Sequence, residues 1–190
     1  MATGKLIIIS APSGSGKSSI INEVMKDRSL RLEFSISATT RSPRGEERNG
    51  KEYYFMSVDD FKQKIAAGEF AEYQEVYPGR YYGTLKSEIE RINADGNNVI
   101  LDLDVKGGVN VKKAYGDQAL SIFIKAPSID VLRKRLNARG TDNAQEIERR
   151  ISKAEYESTF ADKFDHIVVN DDLTTAVNEA HDIIKNFVNQ

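Results

Sequence analysis

The stretch Leu6 to Ile21, reading LIIISAPSGSGKSSII, constrains this chain more than any other. An apolar run from Leu6 to Ile9 gives way to a turn of small residues, Ala11-Pro12-Ser13-Gly14-Ser15-Gly16, which passes through Lys17-Ser18 into a predicted helix. Successive backbone N–H groups of such a turn, together with the unpaired N–H groups of the helix start, form a cradle for an anion. Lys17 is spaced to reach outer phosphates, and the Ser18 hydroxyl to help hold Mg²⁺. The formal pattern has glycine where this chain has Ala11. An ordinary strand–turn–helix with a glycine-rich connection is the plain alternative, but the context on both sides favours a nucleoside triphosphate site.

A length of 190 residues fits one domain with room for an inserted lid or subdomain, and it can bury a core without covalent staples. The chain has no cysteine, which excludes a disulfide framework and a thiolate zinc site. The apolar run near the N-terminus is too short for a signal peptide, and no stretch could span a bilayer as a helix, so a cytoplasmic location is expected. A net charge of −2 argues against sequence-blind nucleic-acid binding. Arginines nevertheless gather in two places, Arg41/Arg44/Arg48 and Arg133/Arg135/Arg139/Arg149/Arg150. Solvated helix faces would account for such clusters as readily as a binding site.

The apolar periodicity predicts a helix from Lys17 to about Asp27, a half-buried strand over Phe34–Thr39, and a loop at Arg41–Gly45. Tyr53–Met56 is a short predicted strand, with Ser57 capping a helix that Gly68 closes. Phe70–Val76 reads as a strand, followed by a Pro78-Gly79 turn and Tyr81-Tyr82-Gly83-Thr84, with Thr84 as N-cap of a helix reaching Ala94. Val99–Asp104, Leu120–Ile124 and His166–Val169 have the unbroken apolar character of strands covered on both faces. Helices follow each: one ending near Gly116, one capped by Ser128, one opened by a capping box at Asn143-Ala144-Gln145-Glu146, and one over Leu173–Val188. Alternating strands and helices predict an α/β fold on a parallel sheet. The polar, aromatic, strand-rich stretch between Arg28 and Gly83 reads as an inserted, mostly β subdomain.

The pair Asp102 and Asp104 ends a predicted buried strand, where open α/β sheets place their ligands. Such carboxylates serve Mg²⁺ or an acceptor group, or simply form a turn. A third element is Ser37-Ala38-Thr39-Thr40-Arg41-Ser42-Pro43-Arg44, with Asn49-Gly50-Lys51-Glu52-Tyr53-Tyr54-Phe55 after it and Tyr81-Tyr82-Gly83-Thr84 later.

With these pieces and Arg139-Gly140-Thr141, the chain resembles the guanylate kinases from the phosphate loop to the last helix, and that family commonly has alanine at the Ala11 position. The resemblance implies a P-loop fold: a three-layer α/β/α core over 1–33 and 84–190, a mostly β GMP-binding subdomain over 34–83, and a helical lid at about 135–155. It implies transfer of the γ-phosphoryl of ATP to GMP, and to dGMP as well, with Mg²⁺ and without a general base. ATP would be held by Ala11, Pro12, Ser13, Gly14, Ser15, Gly16, Lys17 and Ser18, with Asn170 and Asp171 near the adenine. Ser18 and Asp102 would serve Mg²⁺, partly through water. The GMP phosphate maps to Arg41, Arg44, Tyr53 and Tyr82, and the guanine to Glu72, Ser37 and Thr84, with Asp104 near base or ribose. Lys17, Arg41, Arg135, Arg139 and Arg150 would carry the transferring group, while Arg133 and Arg149 read as solvated charges. The connection Tyr77-Pro78-Gly79-Arg80 is one residue longer than the family's usual turn.

ATP and GMP are then the expected partners, with neither nucleic acid nor membrane, for a monomer or a homo-oligomer. A non-catalytic phospho-ligand module of the same fold is the main rival, disfavoured by Lys17, Ser18 and the lid arginines. A kinase for another nucleoside monophosphate fits the acceptor motifs less well, and a GTPase switch would need an Asn-Lys-x-Asp signal, which Asn170-Asp171-Asp172 does not supply.

Overall fold

The computed structural model describes residues 4–140 and 143–190. Strand β1 (Leu6–Ser10) is buried at every position and leads through the glycine-rich turn to α1 (Lys17–Val24). Next come β2 (Leu32–Phe34), β3 (Ala38–Thr39), β4 (Tyr54–Phe55), α2 (Val58–Ala66) and the hairpin β5 (Phe70–Tyr77) and β6 (Arg80–Leu85). The chain continues with α3 (Lys86–Ala94), β7 (Asn98–Asp102), α4 (Val105–Tyr115), β8 (Ala119–Lys125), α5 (Ile129–Arg139), α6 (Ala144–Ser158), β9 (His166–Val169) and α7 (Leu173–Val188). No helix among the described residues is long and apolar enough to cross a membrane.

The main sheet has the order β2-β7-β1-β8-β9 and is parallel throughout. Side chains alternate across a strand, so β1 serves two cores at once. Ile7 and Ile9 pack with Ile20, Ile21 and Val24 of α1 and with Ala176, Ala180 and Ile184 of α7. Leu6 and Ile8 face the other way, onto Ile89 and Ile92 of α3 and Val111 of α4. Helices on both faces explain why the strand has no polar alternation. Because the strands are parallel, the residues after β1, β7, β8 and β9 emerge at one edge, and the functional groups collect there.

A separate four-stranded mixed sheet has the order β4-β3-β6-β5. Phe61 of α2 anchors it, stacked on Phe70 at 4.3 Å and Tyr81 at 5.3 Å between ring centroids. The long hairpin turn is absorbed as a bulge: Glu75 pairs with Tyr81 and Tyr77 with Arg80, leaving Val76 over.

Several expectations need correction. The single strand expected over Phe34–Thr39 is two strands in two sheets. Phe34 pairs with Ile100 of the parallel sheet, and Ala38 with Gly83 and Tyr54 of the other. Between them the buried Glu88 carboxylate takes the Ile36 N–H at 3.2 Å and the Tyr54 hydroxyl at 2.9 Å, drawing the chain from one sheet to the next. Thr84 is not a helix cap. It lies inside β6, the N-cap of α3 is Leu85, and the Thr84 hydroxyl donates to Glu72 at 2.8 Å. The strand expected to reach Asp104 stops at Asp102, since Asp104 caps α4 by accepting the Gly107 N–H. The first helix ends at Val24, short of Asp27, which accepts the Ser29 N–H in a separate turn. The caps at Ser57, Ser128 and the Asn143/Glu146 box form as expected. Thr141 of the Arg-Gly-Thr motif lies outside the described residues.

Candidate active site

The turn after β1 is shaped by Gly14 and Gly16, at φ 89° and 88°, a conformation that side chains disfavour. A Cβ at Gly16 would also overlap Asn170 Nδ2. That amide donates to the Ser15 carbonyl at 2.8 Å, and the Asn170 backbone N–H donates to Lys125 at 2.8 Å. Asn170, buried just after β9, thus braces the phosphate loop from below. Gly14 lies against Leu132 and Leu136 of α5, which pack the loop onto that helix.

Above the loop is a cavity of about 410 Å³. Its walls are the turn from Ala11, with Lys17 and Ser18, the β7 end with Asp102 and Asp104, and Arg139 of α5 with Arg150, Lys153 and Glu157 of α6. The Lys17 ammonium is ion-paired with Asp102. Arg150 Nη1 donates to the Ser13 hydroxyl at 2.8 Å, so α6 touches the loop directly.

Arg135 is placed differently from Arg139 and Arg150. Its Nη2 donates to the Asn170 carbonyl at 2.9 Å, and it makes a longer bond of 3.4 Å to the Asp171 carbonyl. It therefore secures the loop after β9 and does not line the cavity. Arg133 pairs with Glu148 between α5 and α6, as a surface helix charge would. Lys153 and Glu157 escaped the sequence reading. Glu157 falls on the face of α6 that carries Ile147, Ile151 and Ala154, and a carboxylate on such a face was the available signal. Burial raises its carboxyl pKa, opposed by Lys153 at 3.5 Å.

The second sheet and its loops gather a distinct cluster of side chains. Glu47 accepts from both terminal nitrogens of Arg41, at 2.6 and 2.7 Å, and from the Arg44 backbone N–H at 2.8 Å. The Arg41 guanidinium lies 4.8 Å over the Tyr53 ring, and Tyr53 meets Tyr82 edge to face at 6.1 Å. The Arg41 hydrogen bonds hold the Glu47 carboxyl down to about 2. Glu47 too was missed: one glutamate among Glu46, Arg48 and Glu52 carries no periodic mark. The Arg44 side chain is exposed, and Ser37 is half-buried between β2 and β3, its carbonyl accepting the Tyr54 N–H at 2.9 Å.

Glu72 rises from β5 to accept the Thr84 hydroxyl, and burial pushes its carboxyl up to about 7, with the Asp104 charge adding to the shift. Gly107 has no side chain, and a Cβ there would stand 3.1 Å from Glu72 Oε2. This lets Glu72 approach the start of α4, where Asp104 accepts the Gly107 N–H at 2.7 Å. Asp104 is thus common ground, lining the cavity above the glycine-rich turn and acting on the buried Glu72.

A cation-rich phosphate cavity beside a second pocket with its own arginines and a buried carboxylate suits transfer between two anionic ligands. Comparison with known proteins agrees. The guanylate kinase family model matches residues 3–187. A guanylate kinase of Bacteroides fragilis is 58% identical over 184 residues, covering 97% of this chain and 90% of that protein. One from Porphyromonas gingivalis is 56% identical over 184 residues, covering 97% and 98%. The crystal structure of guanylate kinase from Anaplasma phagocytophilum superposes with a TM-score of 0.75 at 25% identity, covering all of this chain and 89% of the other.

Proposed function

The chain belongs to the guanylate kinase family, and from that premise we propose how it moves the γ-phosphoryl group of ATP to GMP, releasing ADP and GDP, and to dGMP, releasing ADP and dGDP. The observation that carries the proposal is the position of Asp104, shared by the phosphate cavity and the Glu72 pocket. A ligand whose base is held at Glu72 would lie directly beside the donor's phosphates.

On the donor side, the turn from Ala11 to Gly16 holds the β- and γ-phosphates through its free backbone N–H groups, of which Pro12 has none, with Lys17 on the outer oxygens. Asn170 and Asp171 flank the adenine, and Arg135 holds their loop in place. Ser18 and Asp102 suit Mg²⁺, because a hydroxyl and one carboxylate are the sparse oxygen set of a cation that keeps most of its water and phosphate ligands. When bound, Mg²⁺ offsets charge on the phosphate oxygens.

On the acceptor side, Arg41, Arg44, Tyr53 and Tyr82 take the GMP phosphate, guanidinium forks matching its oxygens and phenol hydroxyls adding neutral donors. Glu72, as the carboxylate, accepts from guanine N1–H and the N2 amino group, while Ser37 and Thr84 offer hydroxyls to O6 and Asp104 lies near base or ribose. Adenine would present a lone pair at N1 to the Glu72 oxygen, and two acceptors would face each other.

The acceptor phosphate is already an oxyanion, so no general base is required. One of its oxygens bonds to the γ-phosphorus as the bond to the β–γ bridging oxygen breaks. Arg139 and Arg150 counter the charge spread over the equatorial oxygens. The acceptor subdomain at 34–83 and the lid at about 135–155 close over the core segments 1–33 and 84–190, excluding water that would otherwise take the phosphoryl group. Calorimetric titration tests the two-pocket arrangement: GMP and a non-hydrolysable ATP analogue should bind together, one of each per chain, and mutual exclusion would contradict it.

A further inference from the structure

The acceptor-site reading names Arg41 and Arg44 as phosphate ligands and leaves out the carboxylate that touches both. Glu47 Oε2 and Oε1 accept from Arg41 Nη1 and Nη2 at 2.6 and 2.7 Å, which is the end-on edge of the guanidinium. Oε2 also accepts the Arg44 backbone N–H at 2.8 Å. Arg41 Nη1 reaches the Ser42 carbonyl at 2.9 Å, and the planar group lies 4.8 Å over Tyr53 and 5.7 Å over Phe55. Tyr82, edge to face with Tyr53 at 6.1 Å, belongs to the same cluster. Only 7% of the Arg41 side chain is exposed.

We propose that Glu47 is a positioning residue of the acceptor site: it holds the end-on edge of Arg41 so that the remaining edge faces the acceptor phosphate, and it ties the loop carrying Arg44 to the same place. This rests on the acceptor-site reading above. A guanidinium has two edges that match an anion with two oxygens, so a carboxylate on one leaves the other for phosphate. Clamped between Glu47 and the Tyr53 ring, Arg41 gives up its rotamer freedom on folding and not on binding, which favours affinity. The clamp stays ionised at physiological pH, since the same contacts hold the Glu47 carboxyl near 2. A phosphate that instead displaced Glu47 would make this carboxylate a competitor, with the opposite sign of effect.

The test uses the full chain with Glu47→Gln, Glu47→Asp and Arg41→Ala, reading steady-state constants for both substrates and calorimetric affinity for guanosine, which lacks the phosphate. Glu47→Gln should raise KM for GMP about tenfold or more, with KM for ATP and affinity for guanosine held within about twofold. Glu47→Asp, which keeps the charge on a shorter stem, should recover part of the loss. Combining Glu47→Gln with Arg41→Ala should add little to Arg41→Ala alone, because the two act through one guanidinium. An unchanged or lowered KM for GMP in Glu47→Gln would overturn the inference, as would a matching loss of guanosine affinity. Arg41→Ala with an unchanged KM for GMP would overturn the acceptor-site assignment itself, and this inference with it.

Discussion

Lys17 and Asp102, 85 positions apart, meet as an ion pair at the C-terminal edge of the parallel sheet. Strand pairing alone sets up this meeting. β1 and β7 are neighbours with Ile9 opposite Asp102, and the turn after β1 brings Lys17 back over that register. The pair satisfies both charges, and a triphosphate is expected to exchange Asp102 for phosphate oxygens at Lys17.

Lys17→Ala should therefore lower turnover by about a thousandfold, the loss typical of a principal charge-stabilising donor. Unfolding in urea should stay close to the parent, since Lys17 is part of no core cluster. ADP release and a urea midpoint measured side by side check both halves, and near-normal turnover would remove Lys17 from the site.

Glu72 carries a pH dependence with a definite sign. Burial places its carboxyl at about 7, so the form that accepts from guanine predominates only above that value. kcat/KM for GMP should rise with pH up to about 7 and level off above it, falling by about tenfold per unit on the acid side. Stability runs the other way. The folded chain takes the proton more readily than the unfolded one, whose carboxyl stays near 4.5, so this group makes stability fall as pH rises from about 4.5 to 7. Glu72→Gln should be more stable than the parent at pH 8, by about 2–4 °C in Tm for each kcal/mol recovered. It should also lose about two orders of magnitude in preference for GMP over AMP. A flat pH profile with preference intact would count against the Glu72 pocket.

The parts of this architecture that were legible in the sequence are those whose causes lie within a few residues. The Ser57 and Ser128 caps and the Asn143/Glu146 box each depend on partners three positions away, and each forms as read. What was hidden depends on distant partners. The break between β2 and β3 is made by Glu88, 52 positions from Ile36, and no local pattern announces it. Thr84 has the residue type of a cap, but a buried carboxylate 12 positions earlier claims its hydroxyl. Arg135 shares its spacing and type with the cavity arginines, and only the fold shows it turned to the Asn170 and Asp171 carbonyls.

Thr84→Val separates the cap reading from the strand reading. A lost N-cap would cost about 1 kcal/mol of stability. Valine packs well within β6, so any cost should come from the donor that the buried Glu72 carboxylate loses, about 1 kcal/mol, and should vanish in a Glu72→Ala background, where the cost of a lost cap would remain. KM for GMP should rise about fivefold or more as the site loses this hydroxyl. Loss of stability with GMP affinity intact would restore the cap.

Gly16→Ala places a methyl group where Asn170 Nδ2 sits, on a backbone at φ 88°. The strain and the broken brace to Ser15 should together cost about 2–4 kcal/mol of folding stability and most of the ATP affinity. Urea unfolding with and without ATP measures both, and a variant with parental stability would contradict the bracing role of Asn170.

ADP release from Mg·ATP with GMP, dGMP, AMP, CMP, UMP, dTMP or water as acceptor tests the central claim most directly. The account predicts turnover confined to GMP and dGMP, with water slower by orders of magnitude because the acceptor phosphate is needed to complete the site. Binding of GMP without ADP release, or faster transfer to another nucleotide, would contradict it.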